Sequence, residues 1–322
     1  MRDNHLVLTV ATLTRRRPKL LANLLESWSE LDAPDNCTVN FLVVENDQAP
    51  VSEPVVVQAQ NTGLAVGYAL ETEPGIPFGR NRAAKVAIET GSDILIFLDD
   101  DEIAAKDWLV RLIDGYRRSD AVLMGAPLRS RPPDNALNWW QKLMYDNIER
   151  RYQRKETRAA IKADINQTKG VTIVTNNWLA EVGLFTEHGI WFDEKMRFTG
   201  GTDTKFYQQT REKSLPTGWV QDAFVYETIT NERLSFLYQL ARGRDQSNTN
   251  LRRKMEHNPN VGLKTIAPIV LKTLIAILLA ISVPLTLGRT LLSFARTLGW
   301  VVGRVTALAG YRSKLYMNTT GE

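Results

Sequence analysis

Cysteine and histidine are nearly missing from this sequence: Cys37 stands alone, and the histidines are His5, His188 and His257. A lone thiol closes no intramolecular disulfide, and these residues build no Cys/His cluster at zinc-ligand spacing. Any metal must therefore be held by oxygen. The missing disulfide framework points to a reducing compartment. Residues 1–30 lack an apolar signal core with a small-residue cleavage site, so this end of the chain is expected on the cytoplasmic side. Internal repeats are absent, as are GxGxxG and GxxxxGK[ST] sequences for cradling phosphates. What is present is ordinary globular composition, 24% charged and 43% hydrophobic over 322 residues, enough for one large core or two modest ones.

The pattern alternates strand and helix. Residues 6–11 read as a buried strand, followed by a polar loop at 12–17 and a helix over 18–31 opened by Pro18. Strands are predicted at 39–44 and 55–58, a helix at 79–89, and a short apolar strand at 93–98. A helix at 107–116 and a strand at 121–125 precede the break Arg131-Pro132-Pro133. Beyond it, 138–165 reads as a charged helix, 171–175 as a strand and 234–242 as a helix. This βα alternation predicts an α/β fold with a mostly parallel sheet, divided as 1–130, 131–262 and 263–322.

The last segment is different in kind. It carries Lys264, Lys272, Arg289, Arg296, Arg304, Arg312 and Lys314 against the single acid Glu322. Without aromatic stacking platforms interleaved among the cations, this suits an anionic membrane surface better than nucleic acid. Residues 266–288 are apolar apart from Lys272, and the charge-free stretch 273–288 falls short of the roughly 20 residues of a spanning helix unless Lys272 snorkels. Along 290–309 and the residue before it, Arg289, Arg296 and Arg304 form a polar stripe that favours lying in the interface. A helical pair packed on its own domain or on a partner subunit is the alternative.

The chemistry gathers at Asp99-Asp100-Asp101, directly after Ile94-Leu95-Ile96-Phe97-Leu98. Three adjacent carboxylates at a strand's carboxyl end repel one another unless a cation compensates. Mg²⁺ or Mn²⁺, bridging one or two carboxylates to substrate phosphates, is the natural partner. An acidic run on a helix would instead read as solvated surface.

Several pieces together carry a resemblance: Val43-Val44-Glu45-Asn46-Asp47, Asn61-Thr62-Gly63-Leu64-Ala65, Gly79-Arg80-Asn81, Phe97-Leu98-Asp99-Asp100-Asp101 and Trp108-Leu109, then Thr175-Asn176-Asn177, Phe192-Asp193-Glu194, Gly200-Gly201-Thr202-Asp203 and Val225-Tyr226-Glu227. The sequence resembles family 2 glycosyltransferases, most of all the bacterial exopolysaccharide enzymes of the succinoglycan type. The resemblance implies a fold of the glycosyltransferase A (GT-A) type and an inverting, metal-dependent transfer of one sugar from a nucleoside-diphosphate sugar, UDP being favoured. It implies that Glu45, Asn61, Arg80, Asp99 and Asp100 bind the donor, Asp101 and Glu227 serve the metal, and Asp203 is the general base. Thr202 departs from the family's Gly-Gly-Glu-Asp. Gln239-Leu240-Ala241-Arg242-Gly243 is similar to the QxxRW motif of processive synthases, but Gly243 replaces Trp, which favours single transfer.

Arg242 and Arg244 are read either as diphosphate ligands or as charges complementing a helix C-terminus. Trp139-Trp140 is read as packing in preference to a sugar platform. Arg15-Arg16-Arg17 is read as solvated, with one member near the phosphates. The basic tail implies a polyprenyl-diphosphate-linked acceptor at the cytoplasmic face of the cell membrane. A nucleotidyltransferase and a silent nucleotide-sugar-binding assembly subunit are the competing readings.

Overall fold

The computed structural model describes residues 4–164, 171, 173–197, 200–257 and 261–311. The first half alternates β1 (Leu6–Thr14), α1 (Pro18–Ser29), β2 (Cys37–Glu45), α2 (Glu53–Asn61), β3 (Val66–Leu70), α3 (Ile76–Glu89) and β4 (Ile94–Asp99). Then follow β5 (Glu102–Ala104), α4 (Trp108–Arg117), β6 (Leu123–Gly125), β7 (Leu128–Arg131), α5 (Trp139–Asp164), β8 (Trp178–Glu181), α6 (Gly183–Thr186), α7 (Thr202–Glu212), β9 (Thr217–Trp219) and β10 (Val225–Thr228). The chain continues through α8 (Phe236–His257), α9 (Val261–Lys264), α10 (Ile266–Leu285) and α11 (Leu291–Leu308).

Seven strands form the main sheet in the order β3-β2-β1-β4-β8-β6-β9, and β5-β10-β7 form a small one. Strands β1 to β4 are parallel; β8 runs antiparallel between β4 and β6. Burial on both faces explains the apolar continuity of β4. Its Ile94, Ile96 and Leu98 join Trp28 and Trp108 on one side. Its Leu95 and Phe97 join Trp178, Phe185, Phe192 and Phe206 on the other. The registers Thr14↔Glu45 and Leu13↔Asp99 align the carboxyl ends of β1, β2 and β4. Ligands collect at that edge of such sheets.

Three expectations change. Residues 55–58 lie within α2, not in a strand: Pro54 sits in its first turn, and of the valine run Val56 is buried while Val57 is 46% exposed. That one-sided burial is helical, and tertiary packing overrides β-branched propensity; the third strand is β3. The strand expected at 171–175 includes residue 172, outside the described residues; the described part is not strand, and β8 fills the place beside β4. The helix expected at 234–242 is the much longer α8.

The C-terminal region is tied to the domain by close backbone contact. Ala295, Gly299, Gly303 and Ala307 are buried along α11 at four-residue spacing, one face of a helix. A Cβ at Gly299 would lie 2.2 Å from the Leu240 carbonyl oxygen, and one at Gly303 2.1 Å from that of Arg244. On α8, a Cβ at Gly243 would lie 2.9 Å from the Arg296 carbonyl oxygen. Two members of the polar stripe expected to face lipid headgroups therefore turn inward: Arg296 donates from Nε to the Gln239 amide oxygen at 3.0 Å, and Arg304 is buried, while Arg289 stays exposed. Helix α10 is the one left bare, with Val270, Leu274, Leu278, Ile281 and Leu285 all more than half exposed.

Gly303→Ala should therefore force α8 and α11 apart and lower stability by about 1–3 kcal/mol, the usual overpacking cost. Gly67→Ala in β3, whose Cβ would meet its neighbours at an ordinary 3.6 Å, should stay within about 0.5 kcal/mol. Chemical unfolding of the two variants checks this; equal stability would remove the close-contact account.

Candidate active site

A cleft of about 560 Å³ opens at the carboxyl edge of the main sheet, and Asp99, Asp100, Asp101, Arg80, Asp203, Glu227 and Arg242 all line it. Strand β4 delivers the triplet, and each carboxylate meets a different environment. Asp100 accepts from Thr14 Oγ1 at 2.9 Å and from Arg17 Nη1 at 2.8 Å. Burial nevertheless pushes its carboxyl up to about 6, against the pull of Arg17. Asp99 is pushed up to about 7, by burial first and then by Asp101, with Arg80 opposing. Burial, then Asp99 and Asp101, also raise Glu102 well above the usual carboxylate range; its Oε2 accepts the Asp99 amide at 2.8 Å.

Arg233 holds the remaining acids. Its Nη2 meets Asp101 Oδ2 at 2.8 Å, and its Nη1 donates to Glu227 Oε1. Tyr152 donates its hydroxyl to the other oxygen of Glu227. Burial opposes the charge on Glu227, but Arg233 and then Tyr152 hold its carboxyl below the usual range. Asp101 and Glu227 are thus brought to the two ends of one guanidinium.

The opposite wall is built by α7 and α3. Gly201, with φ at +95°, turns the chain into α7 and places Thr202 and Asp203 in its first turn, where the helix dipole favours a negative charge. Asp203 Oδ1 accepts the Thr204 amide at 2.7 Å. Arg80 donates from Nη1 to Thr202 Oγ1 at 2.9 Å and lies 5.4 Å from the centre of the Phe192 ring. Where the family usually has glutamate, the hydroxyl of Thr202 takes this hydrogen bond without neutralising Arg80, whose charge stays available to Asp99 and the cleft. Asn81 fixes the approach to α7, donating to the Phe192 carbonyl at 2.9 Å and accepting its amide at 3.1 Å.

Other motif residues brace rather than line the cleft. Both oxygens of Glu45, fully buried, accept from Ser52, and Oε2 also accepts from Tyr68 at 2.6 Å. Asn46 from the same motif does reach the cleft wall. Asn61 ends α2 on the exposed surface and lies outside the cleft lining. Arg244 pairs with Asp245 at 2.7 Å, also away from the lining. Asn177 is buried and joins Trp108, Pro127 and Ala223. Of the arginine triplet, Arg16 pairs with Asp47 while Arg15 and Arg17 line the cleft. Trp139 and Trp140 do not pack inward: they are 74% and 38% exposed, edge to face at 5.3 Å.

Sequence reasoning gave Arg233 no role and missed Tyr152 and Thr14. Arg233, six residues beyond Glu227, carried one available signal: buried acids need a guanidinium. Tyr152 carried none, being one aromatic in a charged helix.

The donor set fits a hard divalent cation. Oxygen ligands are in excess of the guanidinium groups paired with them, and Asp99 has no cation at ion-pair distance among the described residues. No three His, Cys, Asp or Glu side chains converge as a metal cage among the described residues. Mg²⁺ and Mn²⁺ can bind through one or two carboxylates, with water and phosphate oxygens completing the shell.

A mostly parallel sheet delivering buried carboxylates to a cleft, faced by an aspartate on a helix start, is the arrangement of a GT-A type sugar-transferase fold. The sequence profile described as "Glycosyl transferase family 2" matches residues 9–178, just over half of the chain, and the protein belongs to that family of enzymes. It is 25% identical over 248 residues to the succinoglycan biosynthesis protein ExoM of Rhizobium meliloti (strain 1021), covering 77% of this chain and 74% of that one. Among solved structures it is similar to the mannosyltransferase PcManGT of Pyrobaculum calidifontis in complex with GDP-Man and Mn²⁺, with a TM-score of 0.60, 14% identity, and 95% and 88% of the two chains covered. It is also similar to S. aureus TarS 1-349 in complex with UDP-GlcNAc, with a TM-score of 0.50, 15% identity, and 98% and 95% covered. Of a longer S. aureus TarS the chain spans 56%.

Replacing Arg233 by Met would leave Asp101 and Glu227 buried without their counter-charge. Stability should fall by about 3–5 kcal/mol, as for other broken buried pairs, read as a lower urea midpoint. An unchanged midpoint would show that the bridge contributes nothing.

Proposed function

We propose that this glycosyltransferase moves one sugar, with inversion, from a nucleoside-diphosphate sugar to a hydroxyl of a lipid-linked saccharide during surface or exopolysaccharide synthesis. The observation that carries the reading is Asp203 in the same cleft as Asp99 and Asp101, joined to that side through Thr202 and Arg80. A base must face the anomeric carbon from the side opposite the leaving group, and two walls of one cleft supply that separation. Uridine and guanosine carriers both occur in structures similar to this one.

The chain's own groups divide the work. Arg17 and Arg242 line the cleft where diphosphate oxygens would lie and offer bidentate donors. Asp99 and Asp101 would hold Mg²⁺ or Mn²⁺, which would supply charge neutralisation on the leaving diphosphate, with Glu227 bracing Asp101 through their shared Arg233. Asp203 Oδ2, without a partner among the described residues, would take the proton of the acceptor hydroxyl as it attacks. Gly243, packed against the Arg296 backbone, leaves no room for the tryptophan of processive synthases, in keeping with single transfer.

The membrane enters through α10. Its 20 residues measure about 30 Å, the thickness of the hydrocarbon core, and it alone among the described helices is long and apolar enough to cross. Both of its ends, however, are fastened to the catalytic domain. A Cβ at Gly262, before α10, would be 3.5 Å from Leu308 of α11. Gly288, just after α10, accepts from Asn147 Nδ2 of α5 at 3.0 Å. A helix anchored to one body at both ends lies along a bilayer rather than through it. Exposed Trp139 stands two turns before Asn147 on α5, as an interfacial anchor would. This supports placement on a membrane surface, the cytoplasmic leaflet being the expectation from the sequence.

Asp203→Asn should keep nucleotide-sugar binding and lose transfer by about 10²–10⁴-fold; near-normal turnover refutes the base. Asp101→Ala should abolish activity; a variant that stays fully active and insensitive to chelator refutes the metal site. Leu274→Gln with Leu278→Gln in the full chain should prevent flotation with anionic liposomes; equal flotation removes α10 from the membrane.

A further inference from the structure

Beside the cleft, between α5, α8 and α11, lies a smaller pocket of about 120 Å³ that shares Arg233, Arg242 and Gln246 with it. Its wall also carries Arg151, Lys155 and Arg296 and no acidic side chain. Arg233 is neutralised by Asp101 and Glu227. The other four cations have no carboxylate at ion-pair distance among the described residues; Arg296 meets only the neutral amide of Gln239. Like charges brought this close repel. Partial burial, then Arg151 and Arg296, pull the Lys155 ammonium down to about 8. Burial, then Arg151 and Arg242, hold the Arg296 guanidinium below its usual range.

Such an arrangement stands ready for an anion. The pocket is well below the roughly 300 Å³ of an organic-ligand site, so the anion is compact. Guanidinium forks flanked by an ammonium match phosphate oxygens.

Position narrows the choice. Asn147, Arg151 and Lys155 follow one another at four-residue spacing along one face of α5. Asn147 holds the turn between α10 and α11 through the Gly288 carbonyl, beside Leu285 and Leu287, which are 80% and 86% exposed. The row of cations therefore begins one helical turn from the end of the bare apolar helix and ends at the cleft that holds Asp203.

We propose that this pocket binds the diphosphate of an isoprenoid carrier, with the lipid leaving towards α10 and the attached saccharide entering the cleft. The proposal rests on the lipid-linked acceptor reading. Phospholipid headgroups and the donor's own diphosphate share the phosphate chemistry, so the experiment separates all three.

The full chain in detergent is titrated calorimetrically with farnesyl diphosphate, and with UDP and GDP in the presence of Mn²⁺; flotation on phosphatidylglycerol vesicles is measured in parallel. The double variant Arg151→Ala, Lys155→Ala should bind farnesyl diphosphate at least tenfold more weakly, with Arg151→Lys, Lys155→Arg restoring affinity. Nucleotide binding and flotation should stay within twofold. The proposal is overturned if the wild type does not bind farnesyl diphosphate, if the double variant binds it equally well, or if affinity for UDP or GDP falls as much, which makes the pocket the donor's. An equal loss of vesicle binding overturns it too, by making the pocket a headgroup site. A wild type that binds farnesyl diphosphate here yet transfers no sugar to lipid-linked saccharides refutes the acceptor reading alone. Transfer without farnesyl diphosphate binding refutes the pocket alone.

Discussion

The burial of several carboxylates at one strand end is the constraint around which this molecule is arranged. Taking a charged carboxylate out of water costs several kcal/mol even after relaxation, so each must find a donor or a proton. Thr14 and Arg17 answer for Asp100, and Arg233 for Asp101 and Glu227. Asp99 and Glu102 are met by raised affinity for protons. Arg233 is itself fixed: its carbonyl accepts from Gln239 Nε2 at 2.6 Å, and Gln239 in turn accepts from Arg296. One chain of contacts runs from the acidic triplet through the start of α8 to α11. The C-terminal helices are thus part of the site's electrostatic support.

Much of this was legible. An unbroken apolar run ending in three aspartates is a buried strand opening on a site, because β4 is covered on both faces. Gly201-Thr202-Asp203 was legible only as a motif, since nothing local says that Arg80, distant in sequence, will meet Thr202. The motif also misleads at Glu45. As an acidic residue at a strand end it reads as a ligand contact, but Ser52 and Tyr68 occupy its oxygens and the neighbouring Asn46 reaches the cleft. Tyr152 and the cation row of α5 were out of reach, because which face of a charged helix meets the domain is decided by tertiary packing.

The C-terminal arginines show a second kind of misreading. Arg289, Arg296 and Arg304 at helical spacing on an apolar segment look like a stripe aimed at lipid headgroups, yet of the three only Arg289 is exposed. On the same segment Ala295, Gly299, Gly303 and Ala307 recur every four residues and bury entirely. Small residues at that spacing let two backbones meet, so α11 is bound to α8 before any membrane is considered. Gly243 belongs to the same contact, which gives the missing tryptophan a steric cause: an indole there would occupy the space of α11.

The consequence reaches α10. Because α11 is locked to α8 and the turn before it is held by Asn147, α10 cannot tilt independently of the catalytic domain. On the proposed membrane placement, a bilayer in contact with its exposed leucines and isoleucines would lie at a fixed height and angle to the cleft. A free amphipathic tail would only concentrate the enzyme at the membrane. A clamped one would also set the distance between the lipid surface and Asp203, and with it how far the proposed lipid-linked acceptor would extend to react.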